Sequence, residues 1–342
     1  MSENPNLSTP SNLPELTATA QALMTADKGL LAMDESIATC NQRFAALDIP
    51  QTLEARRAYR ELIVTAPRLG EAISGAILAD ETIRQQTQNG IPFVQMLCGA
   101  GIIPGIKVDM GAKELAGFPG EKVTEGLDGL RERLNEYRRL GARFAKWRAV
   151  IAIGEGLPTA ACLEANTHAL ARYAALCQEA GLVPIVEPEV LLEGTHTLER
   201  CFEVTETALR LLFNQLYAQR VALTGLLLKP AMVLAGKDAP TQASVEQVAD
   251  ATMTCLLRAV PAAVLGIAFL SGGQSPEQAT DHLRAMHVRF GSRLPWAVTF
   301  SFARAIQQPA LDIWCGQEAN VAAAQQALVE RANRSRAARR GQ

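Results

Sequence analysis

The sequence has few of the residues that build metal centres and disulfide frameworks. Its seven cysteines are scattered and include no C-x-x-C pair, which argues against both a disulfide framework and a zinc–thiolate site. Its four histidines form neither an H-x-H nor an H-E-x-x-H pattern, so a histidine-bound catalytic metal is not expected. We therefore expect a protein of the reducing cytoplasm that works without a metal or other cofactor.

The sequence also has no strong net charge and no long apolar run. A formal net charge of −2 provides no basic field to attract nucleic acid or an anionic membrane. No stretch is long and apolar enough to span a bilayer, and the polar residues 1–14 lack the apolar core of a signal peptide. The expected partners are therefore small molecules.

The domain organisation follows from length and from the position of linker-like composition. The chain has 342 residues, 48% of them apolar, and no stretch rich in proline, glycine and serine occurs after residue 14. We predict one catalytic domain at residues 15–332, between a flexible N-terminal segment at 1–14 and a basic C-terminal end at 333–342. The arginines of that end favour a solvated helix end or a frayed terminus over an anion-binding arm.

Short apolar segments alternate with amphipathic ones along the whole chain. We predict strands near residues 29–33, 74–79, 105–108, 144–147, 183–186, 226–228, 264–270 and 297–300. Helical patterns lie between them, among others at 127–140, 160–180, 199–216, 245–260 and 276–290. This α/β alternation predicts a (β/α)8 TIM barrel. A doubly wound open sheet would share the pattern but favours an early glycine-rich fingerprint, which the sequence lacks.

Charged and polar residues cluster where the predicted strands end. In a barrel these ends converge on one mouth, where barrel enzymes keep their chemistry. Buried charges are costly unless they are paired or used, so packing alone does not explain so many of them. The residues are Asp34, Glu35, Ser36, Lys107, Asp109, Lys146, Arg148, Glu187, Glu189, Lys229, Ser271, Gly272, Gly273, Ser301 and Arg304.

The most informative of these residues is Lys229, which follows three leucines and precedes Pro230. The leucine run is typical of a strand buried on both faces, and the proline favours extended backbone at the lysine. A primary amine partly stripped of water there has a lowered pKa and can form a Schiff base with a carbonyl. A lone lysine of this kind more often reaches water past a packed stem. The other charged strand ends favour the chemical role.

Several motifs together resemble those of class I fructose-bisphosphate aldolases, over nearly the whole chain and in that family's order and spacing. They are MDES (33–36), GIKVD (105–109), FAKWR (144–148), VPIVEPE (183–189), LLKP (227–230), FLSGGQS (269–275) and SFARA (301–305). The resemblance implies a metal-independent lyase that reversibly cleaves fructose 1,6-bisphosphate to dihydroxyacetone phosphate and glyceraldehyde 3-phosphate in glycolysis and gluconeogenesis. It also implies a homotetramer.

The resemblance implies a role for several catalytic residues. Lys229 forms the Schiff base, Glu187 is the acid and base for carbinolamine formation and dehydration, and Asp34 takes the C4 hydroxyl proton. Charge alone, without the resemblance, gives Lys146 two expected roles: to lower the pKa of Lys229 by repulsion or to stabilise negative charge on the substrate. Glu189 is expected to orient the lysines, and a direct role for it is about equally compatible with the sequence. Repulsion between Glu187 and Glu189, two residues apart on one face, is expected to raise one pKa. Simpler roles remain open: an ion pair with Glu187 for Lys146, and a helix N-cap for Asp34.

Two substrate phosphates require two binding sites at the mouth. The first would use residues after the seventh and eighth strands, the usual phosphate site of a barrel: Ser271, Gly272, Gly273, Ser301, Ala303 and Arg304. By resemblance the second would use Ser36, Thr39, Arg43 and Lys107, with Arg148 close by. Ser36 and Thr39 are equally compatible with caps of the helix that follows them.

The sequence departs from the family at a few positions. Met33 replaces a small residue, Thr39 replaces a serine, and Phe302-Ala303 replaces Tyr-Gly. These changes bear on the rate and on the preference between one- and two-phosphate ketoses. Animal members end in a tyrosine that assists proton transfer at C3, and the sequence to residue 342 contains no such end. We therefore expect Glu187 or bound water to carry that proton.

Rival functions differ from the aldolase in what they need at the mouth. A transaldolase or deoxyribose-phosphate aldolase would also use a strand-end lysine, but two phosphate sites favour a bisphosphate sugar. A non-catalytic scaffold that binds sugar phosphate or a protein partner would not need the complete set of Lys229, Lys146, Glu187 and Asp34. The scarcity of histidine opposes a metal-dependent aldolase.

Overall fold

The structure, a computed structural model, describes residues 12–342. The predicted flexible segment lies outside the described residues from 1 to 11. The strands are β1 Gly29–Met33, β2 Ile73–Leu78, β3 Ile103–Lys107, β4 Ala112–Glu114, β5 Lys122–Thr124, β6 Phe144–Ile151, β7 Val183–Val190, β8 Leu227–Leu228, β9 Gly266–Phe269 and β10 Ala297–Phe302.

Helices separate the strands. The α-helices are α1 Leu13–Leu23, α2 Ile37–Ala45, α3 Leu53–Val64, α4 Asp80–Ile83, α5 Phe93–Gly99, α6 Leu130–Arg139, α7 Ala160–Glu179, α8 Leu198–Ala218, α9 Val245–Ala259, α10 Pro276–Phe290, α11 Arg304–Trp314 and α12 Val321–Arg339. Short 3-10 helices occupy Leu69–Glu71, Leu223–Gly225, Gly291–Arg293 and Glu318–Asn320. None of the helices in the described part of the chain could cross a membrane, because none is both long and apolar enough.

Strands β1, β2, β3 and β6 to β10 form a closed barrel in which every neighbouring pair is parallel, and β10 returns to pair with β1. The prediction of a (β/α)8 TIM barrel is confirmed. Strands β6 and β7 run four residues further than predicted, to Ile151 and Val190. The sequence pattern ends them early because charged residues interrupt the apolar runs, Arg148 in β6 and Glu187 and Glu189 in β7. The two glutamates are buried at the mouth, and Arg148 is partly exposed there. Strands β4 and β5 form a separate antiparallel hairpin that the sequence pattern did not predict.

The barrel interior is apolar towards the amino-terminal ends of its strands. Leu30, Ile185 and Leu227 are fully buried there. Helix α1 packs onto this cluster through Leu16 and Leu23, which are 1% and 0% exposed. The helix therefore closes the bottom of the barrel, and it begins at Leu13, inside the segment predicted to be flexible. With one end closed by apolar packing, the charged residues are confined to the other end.

The basic C-terminal end is a helix end, one of the two expected alternatives, and not a frayed terminus. Helix α12 continues through residue 332 to Arg339, so no break in structure separates residues 333–342 from the barrel. Arg336 pairs with Asp27 at 2.8 Å, and Arg339 donates a hydrogen bond to the carbonyl of Met24 at 2.8 Å. These arginines tie α12 to the loop between α1 and β1, a contact that composition alone does not reveal.

Candidate active site

A cavity of about 340 Å³ opens at the carboxyl ends of the barrel strands. It brings together every sequence-predicted site residue except Arg43. Those in its lining are Asp34, Ser36, Thr39, Lys107, Lys146, Arg148, Glu187, Glu189, Lys229, Ser271, Gly272, Gly273, Ser301, Ala303 and Arg304.

The parallel register explains why residues so far apart in sequence meet. Arg148 on β6 lies beside Glu187 on β7, and successive side chains of a strand alternate between its two faces. Lys146 and Arg148 therefore point to the same side of β6. The backbone N–H of Lys229 donates to the carbonyl of Val186 at 2.8 Å, which extends the β7–β8 pairing by one residue. The lysine is thus held at the end of its strand.

Two lysines and two carboxylates form one buried network at the floor of the cavity. Lys146 Nζ lies 2.7 Å from Asp34 Oδ2 and 3.2 Å from Glu187 Oε2. Lys229 Nζ lies 2.9 Å from the other carboxylate oxygen of Glu187. The four side chains are between 4% and 10% exposed. We call these residues the lysine–carboxylate network.

The ammonium groups control the protonation of this network. Burial by itself would raise the pKa of Asp34, but Lys146 and Lys229 outweigh it and lower the pKa to about 2. The same two lysines overcome burial at Glu187 and lower its pKa. The expected rise in pKa within the Glu187–Glu189 pair therefore does not occur at Glu187. Burial opposes the charge on Lys146, yet Asp34 and Glu187 raise the pKa of Lys146 overall.

Glu189 has a different partner from the one the sequence predicts. Its carboxylate forms an ion pair with the guanidinium of Arg148 instead of orienting a lysine. The backbone N–H of Arg148 donates to Asp109 Oδ2 at 3.2 Å. Burial would lower the pKa of Arg148, but the charge of Glu189 raises it. Arg148 is in register with Glu187 and reaches Glu189, two residues further along β7, and sequence spacing does not show that pairing.

One wall of the cavity is formed by the residues that follow β9 and β10. Gly272 and Gly273 have φ angles of 57° and 87°, in the left-handed region that favours glycine. Ser301 Oγ is buried and has no hydrogen-bond partner among the described residues. A methyl group built on Gly273 would lie 4.0 Å from Arg304 Nη2, so the guanidinium borders the glycine loop. A buried hydroxyl without a partner, beside a cation, is suited to an anionic ligand.

The opposite wall carries hydroxyls and a lysine. Ser36 is the N-cap of α2 and accepts a hydrogen bond from the backbone N–H of Thr39 at 3.2 Å. The alternative that Ser36 caps the helix after it is therefore confirmed. The same alternative for Asp34 is not, because Asp34 does not cap α2. Lys107 Nζ pairs with Asp109 Oδ1 at 3.0 Å and remains 22% exposed. Hydroxyls at a helix N-terminus with a nearby lysine can hold an anion.

Arg43 departs from the prediction because its charge is taken up behind this wall. It forms an ion pair with Glu35 and donates to Gln308 Oε1 at 3.1 Å. Glu35 also pairs with Arg60 at 2.7 Å, and it lines the cavity itself. Sequence reasoning missed this role of Glu35. Its partner Arg60 lies on the buried face of α3, but the sequence carries no signal that pairs it with Glu35, since the neighbouring Arg56 pairs with Glu81 instead.

The barrel and the lysine–carboxylate network define the class of the protein, a (β/α)8-barrel lyase with a buried lysine at its mouth. The family profile described as fructose-bisphosphate aldolase class-I matches residues 15–342. The chain belongs to the class I fructose-bisphosphate aldolase family, and the resemblance stated from its motifs is confirmed. The match runs to residue 342, so it includes the basic C-terminal end.

Individual relatives agree with this family. A probable fructose-bisphosphate aldolase class 1 from Xanthomonas axonopodis pv. citri is 58% identical over 94% of this chain and 96% of its own length. A cytosolic fructose-bisphosphate aldolase from Arabidopsis thaliana is 50% identical over 93% of this chain and 88% of its own. The Plasmodium falciparum aldolase, solved with TRAP and an inhibitor, superposes with a TM-score of 0.96 at 43% identity, covering 100% of this chain and 98% of that one.

Proposed function

We propose that this chain cleaves fructose 1,6-bisphosphate reversibly to dihydroxyacetone phosphate and glyceraldehyde 3-phosphate through a Schiff base on Lys229. The observation that carries the proposal is the contact between Lys229 Nζ and Glu187 Oε1, at 2.9 Å in a buried setting. It places a nucleophile beside its own proton acceptor at the mouth of a barrel, which is the arrangement that carbinolamine chemistry needs.

The first step adds Lys229 to the C2 ketone. Proton transfer from the lysine to Glu187 turns the ion pair that the resting site prefers into two neutral groups, and burial lowers the cost of that transfer. The neutral amine attacks C2, and a proton moves from the attacking nitrogen to the former carbonyl oxygen to give a neutral carbinolamine, while Glu187 keeps its own proton. Glu187 then donates its proton to the departing hydroxyl, so that water leaves and a protonated imine remains. One glutamate thus serves both directions of proton transfer.

The second step breaks the bond between C3 and C4. The C4 hydroxyl loses its proton to Asp34, and the C4–O bond becomes a carbonyl as glyceraldehyde 3-phosphate leaves. The electron pair of the C3–C4 bond moves to the iminium and gives an enamine. Lys146, 2.7 Å from Asp34, stabilises the negative charge that develops on the C4 oxygen. This proposed role accounts for the position of Lys146 between two carboxylates at the floor of the cavity.

The last steps restore the enzyme. A proton added to C3 converts the enamine back to a protonated imine, and water releases dihydroxyacetone phosphate from Lys229. Glu187 is our candidate for the proton donor, directly or through bound water, because it already contacts Lys229. The proton that Asp34 took from the C4 hydroxyl first returns to Glu187 by way of Lys146, which contacts both carboxylates, so that Asp34 is restored as well. Proton delivery by Glu187 would need no contribution from residues 333–342.

Two anion sites would hold the ends of the substrate. The glycine loop at Ser271, the hydroxyl of Ser301 and the guanidinium of Arg304 suit the C1 phosphate, next to Lys229. The hydroxyls of Ser36 and Thr39 with Lys107 suit the C6 phosphate. The remaining lining residues Gly272, Gly273, Ala303, Arg148 and Glu189 would complete the two sites, and Arg43 would support the second one through Glu35.

Domain organisation, assembly and location complete the proposal. We propose a single catalytic domain around residues 15–332, with residues 333–342 packed against it through α12. We also propose a homotetramer, as the family resemblance implies, and a cytoplasmic location. Plant relatives named as cytosolic and seven free cysteines support that location. Light scattering of the purified protein would test the tetramer.

The proposed reaction is tested by following both products. Purified protein should release dihydroxyacetone phosphate and glyceraldehyde 3-phosphate from fructose 1,6-bisphosphate in equal amounts, measured with separate coupling enzymes for each. Lys229→Met should lose nearly all turnover while it still binds substrate. A wild-type protein that binds the bisphosphate without cleaving it would favour the scaffold instead.

A further inference from the structure

The loop of residues 271–273 after β9, which we call the phosphate loop, is held by the side chain of Gln274, the residue that follows it. Gln274 Nε2 donates to the carbonyl of Ser271 at 2.9 Å, and the backbone N–H of Gln274 donates to the same carbonyl at 3.1 Å. The side-chain amide thus closes a ring across two glycines that have no side chains of their own to fix them. The shape of the loop depends on which way this amide points.

The same amide connects the loop to the segment that carries the Schiff-base lysine. Gln274 Nε2 also lies 3.6 Å from Met232 Sδ, three residues after Lys229, and Met232 is 2% exposed. The backbone adds a second connection, since the N–H of Leu270 donates to the carbonyl of Pro230 at 3.1 Å. A shift of Gln274 would therefore move the phosphate loop relative to the lysine.

A buried histidine fixes the orientation of this amide. His282, on α10 and 6% exposed, places Nδ1 at 2.6 Å from Gln274 Oε1. With the amide nitrogen committed to Ser271 and Met232, the amide oxygen must accept, so Nδ1 carries the proton. Burial lowers the pKa of His282 and keeps the ring neutral, although Asp281 opposes this. His282, which does not line the cavity, therefore donates a hydrogen bond from Nδ1 to Gln274 Oε1.

We infer that His282 is a positioning residue for the ketose C1 phosphate, acting through Gln274 on the loop at Ser271. The inference rests on the proposed function, in which this loop binds the phosphate next to Lys229. His282 touches no substrate atom in this arrangement. Its effect is to hold the amide of Gln274 in the one orientation that closes the loop.

The test compares a variant that loses the donor with one that keeps it. His282→Leu removes the N–H, whereas His282→Asn keeps an amide N–H near the position of Nδ1. Fructose 1-phosphate is the substrate, because it presents only the C1 phosphate. His282→Leu should raise KM about tenfold, the value of one hydrogen bond, with kcat within about threefold. His282→Asn should restore KM to within about threefold of wild type.

A matched control lies on the same helix. His287, five residues further along α10, is half-buried and lies outside the Gln274 network. His287→Leu makes the same chemical change and should leave KM unchanged. Loss of folded protein would lower kcat without changing KM, so a purely structural role for His282 would not give the expected result. Equal KM increases in the Leu and Asn variants at position 282, or none in either, would overturn the inference.

A second variant keeps the test decisive if His282→Leu does not fold. Gln274→Met removes the intermediary and should raise KM to the same extent. Adding His282→Leu or His282→Asn to it should change KM no further, because the histidine then has nothing to orient; additive effects would contradict the inference. An inactive wild-type protein would instead refute the proposed function, whereas an active wild type with unchanged KM in both variants refutes only this inference.

Discussion

Removal of Lys146 should destabilise the protein in a way that depends on pH. Its ammonium lies 2.7 Å from Asp34 and 3.2 Å from Glu187, and all three side chains are buried. In the Lys146→Met variant two buried carboxylates would share the single ammonium of Lys229. Breaking a buried pair in this way typically costs about 3–5 kcal/mol. We expect a loss of that size in the free energy of unfolding at pH 7.

The pH dependence follows from the protonation of Asp34. In the wild type its pKa is about 2, below the ordinary 3.8, so it contributes about 2 kcal/mol that is present above pH 3.8 and lost as the pH falls towards 2. Without Lys146, burial would raise that pKa above 3.8 and reverse the sign. Asp34 would then destabilise the fold at pH 7, and protonation would relieve the effect. We call the loss of unfolding free energy relative to the wild type the deficit of the variant. If burial raises the pKa of Asp34 by about two pH units, this deficit shrinks by about 1 kcal/mol between pH 7 and pH 5.

Urea denaturation followed by circular dichroism at both pH values measures this deficit. Lys122→Met is the control, because Lys122 forms only an exposed pair with Glu114 at 3.6 Å. The control should lose less than about 1 kcal/mol at either pH. A Lys146→Met deficit that stays constant or grows between pH 7 and pH 5 would refute the account of how the network is charged.

Three further predictions address the phosphate sites, the C-terminal end and the need for metal. Arg304→Ala should lower kcat/KM for fructose 1-phosphate and fructose 1,6-bisphosphate alike, by about tenfold to a hundredfold, whereas Lys107→Ala should chiefly affect the bisphosphate; equal losses for Lys107→Ala would contradict two separate sites. Removing residues 333–342 should leave the rate of cleavage at 25 °C within about twofold of the full-length protein. It should lower the free energy of unfolding by about 2–4 kcal/mol, because Arg336 and Arg339 lose their contacts with the α1–β1 loop. A large fall in the rate of C3 proton exchange would assign the end a catalytic role. Since no three metal-ligating side chains between residues 12 and 342 are grouped to hold an ion, dialysis against a chelator should leave cleavage unchanged; activity lost and then restored by zinc would overturn this.

Much of the barrel could be predicted because each strand carries its own local pattern. The apolar runs ending at Met33 and Leu228 are buried on both faces, so they show no alternation and are short enough to exclude helices. The charges at the strand ends could be assigned to one mouth because parallel strands in a barrel bring their carboxyl ends together. Helix α1 was not predicted, because its role in closing the bottom of the barrel depends on contacts with distant strands.

The sequence predicts which residues line the site better than it predicts which of their side chains form ion pairs. The sequence indicates that Glu189 and Arg43 lie near the mouth, but their partners Arg148 and Glu35 depend on strand register and on the packing of α2 against α3. The direction of the pKa of Glu187 depends likewise on which cations come within reach. Such choices are decided by a few ångströms of tertiary geometry, for which neighbouring residues in sequence give no signal.

The central claim is that Lys229 forms the covalent intermediate. Incubation with dihydroxyacetone phosphate, reduction with borohydride and peptide mass spectrometry would locate the adduct. Lys146 and Lys107 serve as internal controls, because both lysines line the same cavity. We predict a single reduced adduct on Lys229 and none on the other two. An adduct on another lysine, or no adduct in protein that is otherwise active, would contradict the mechanism.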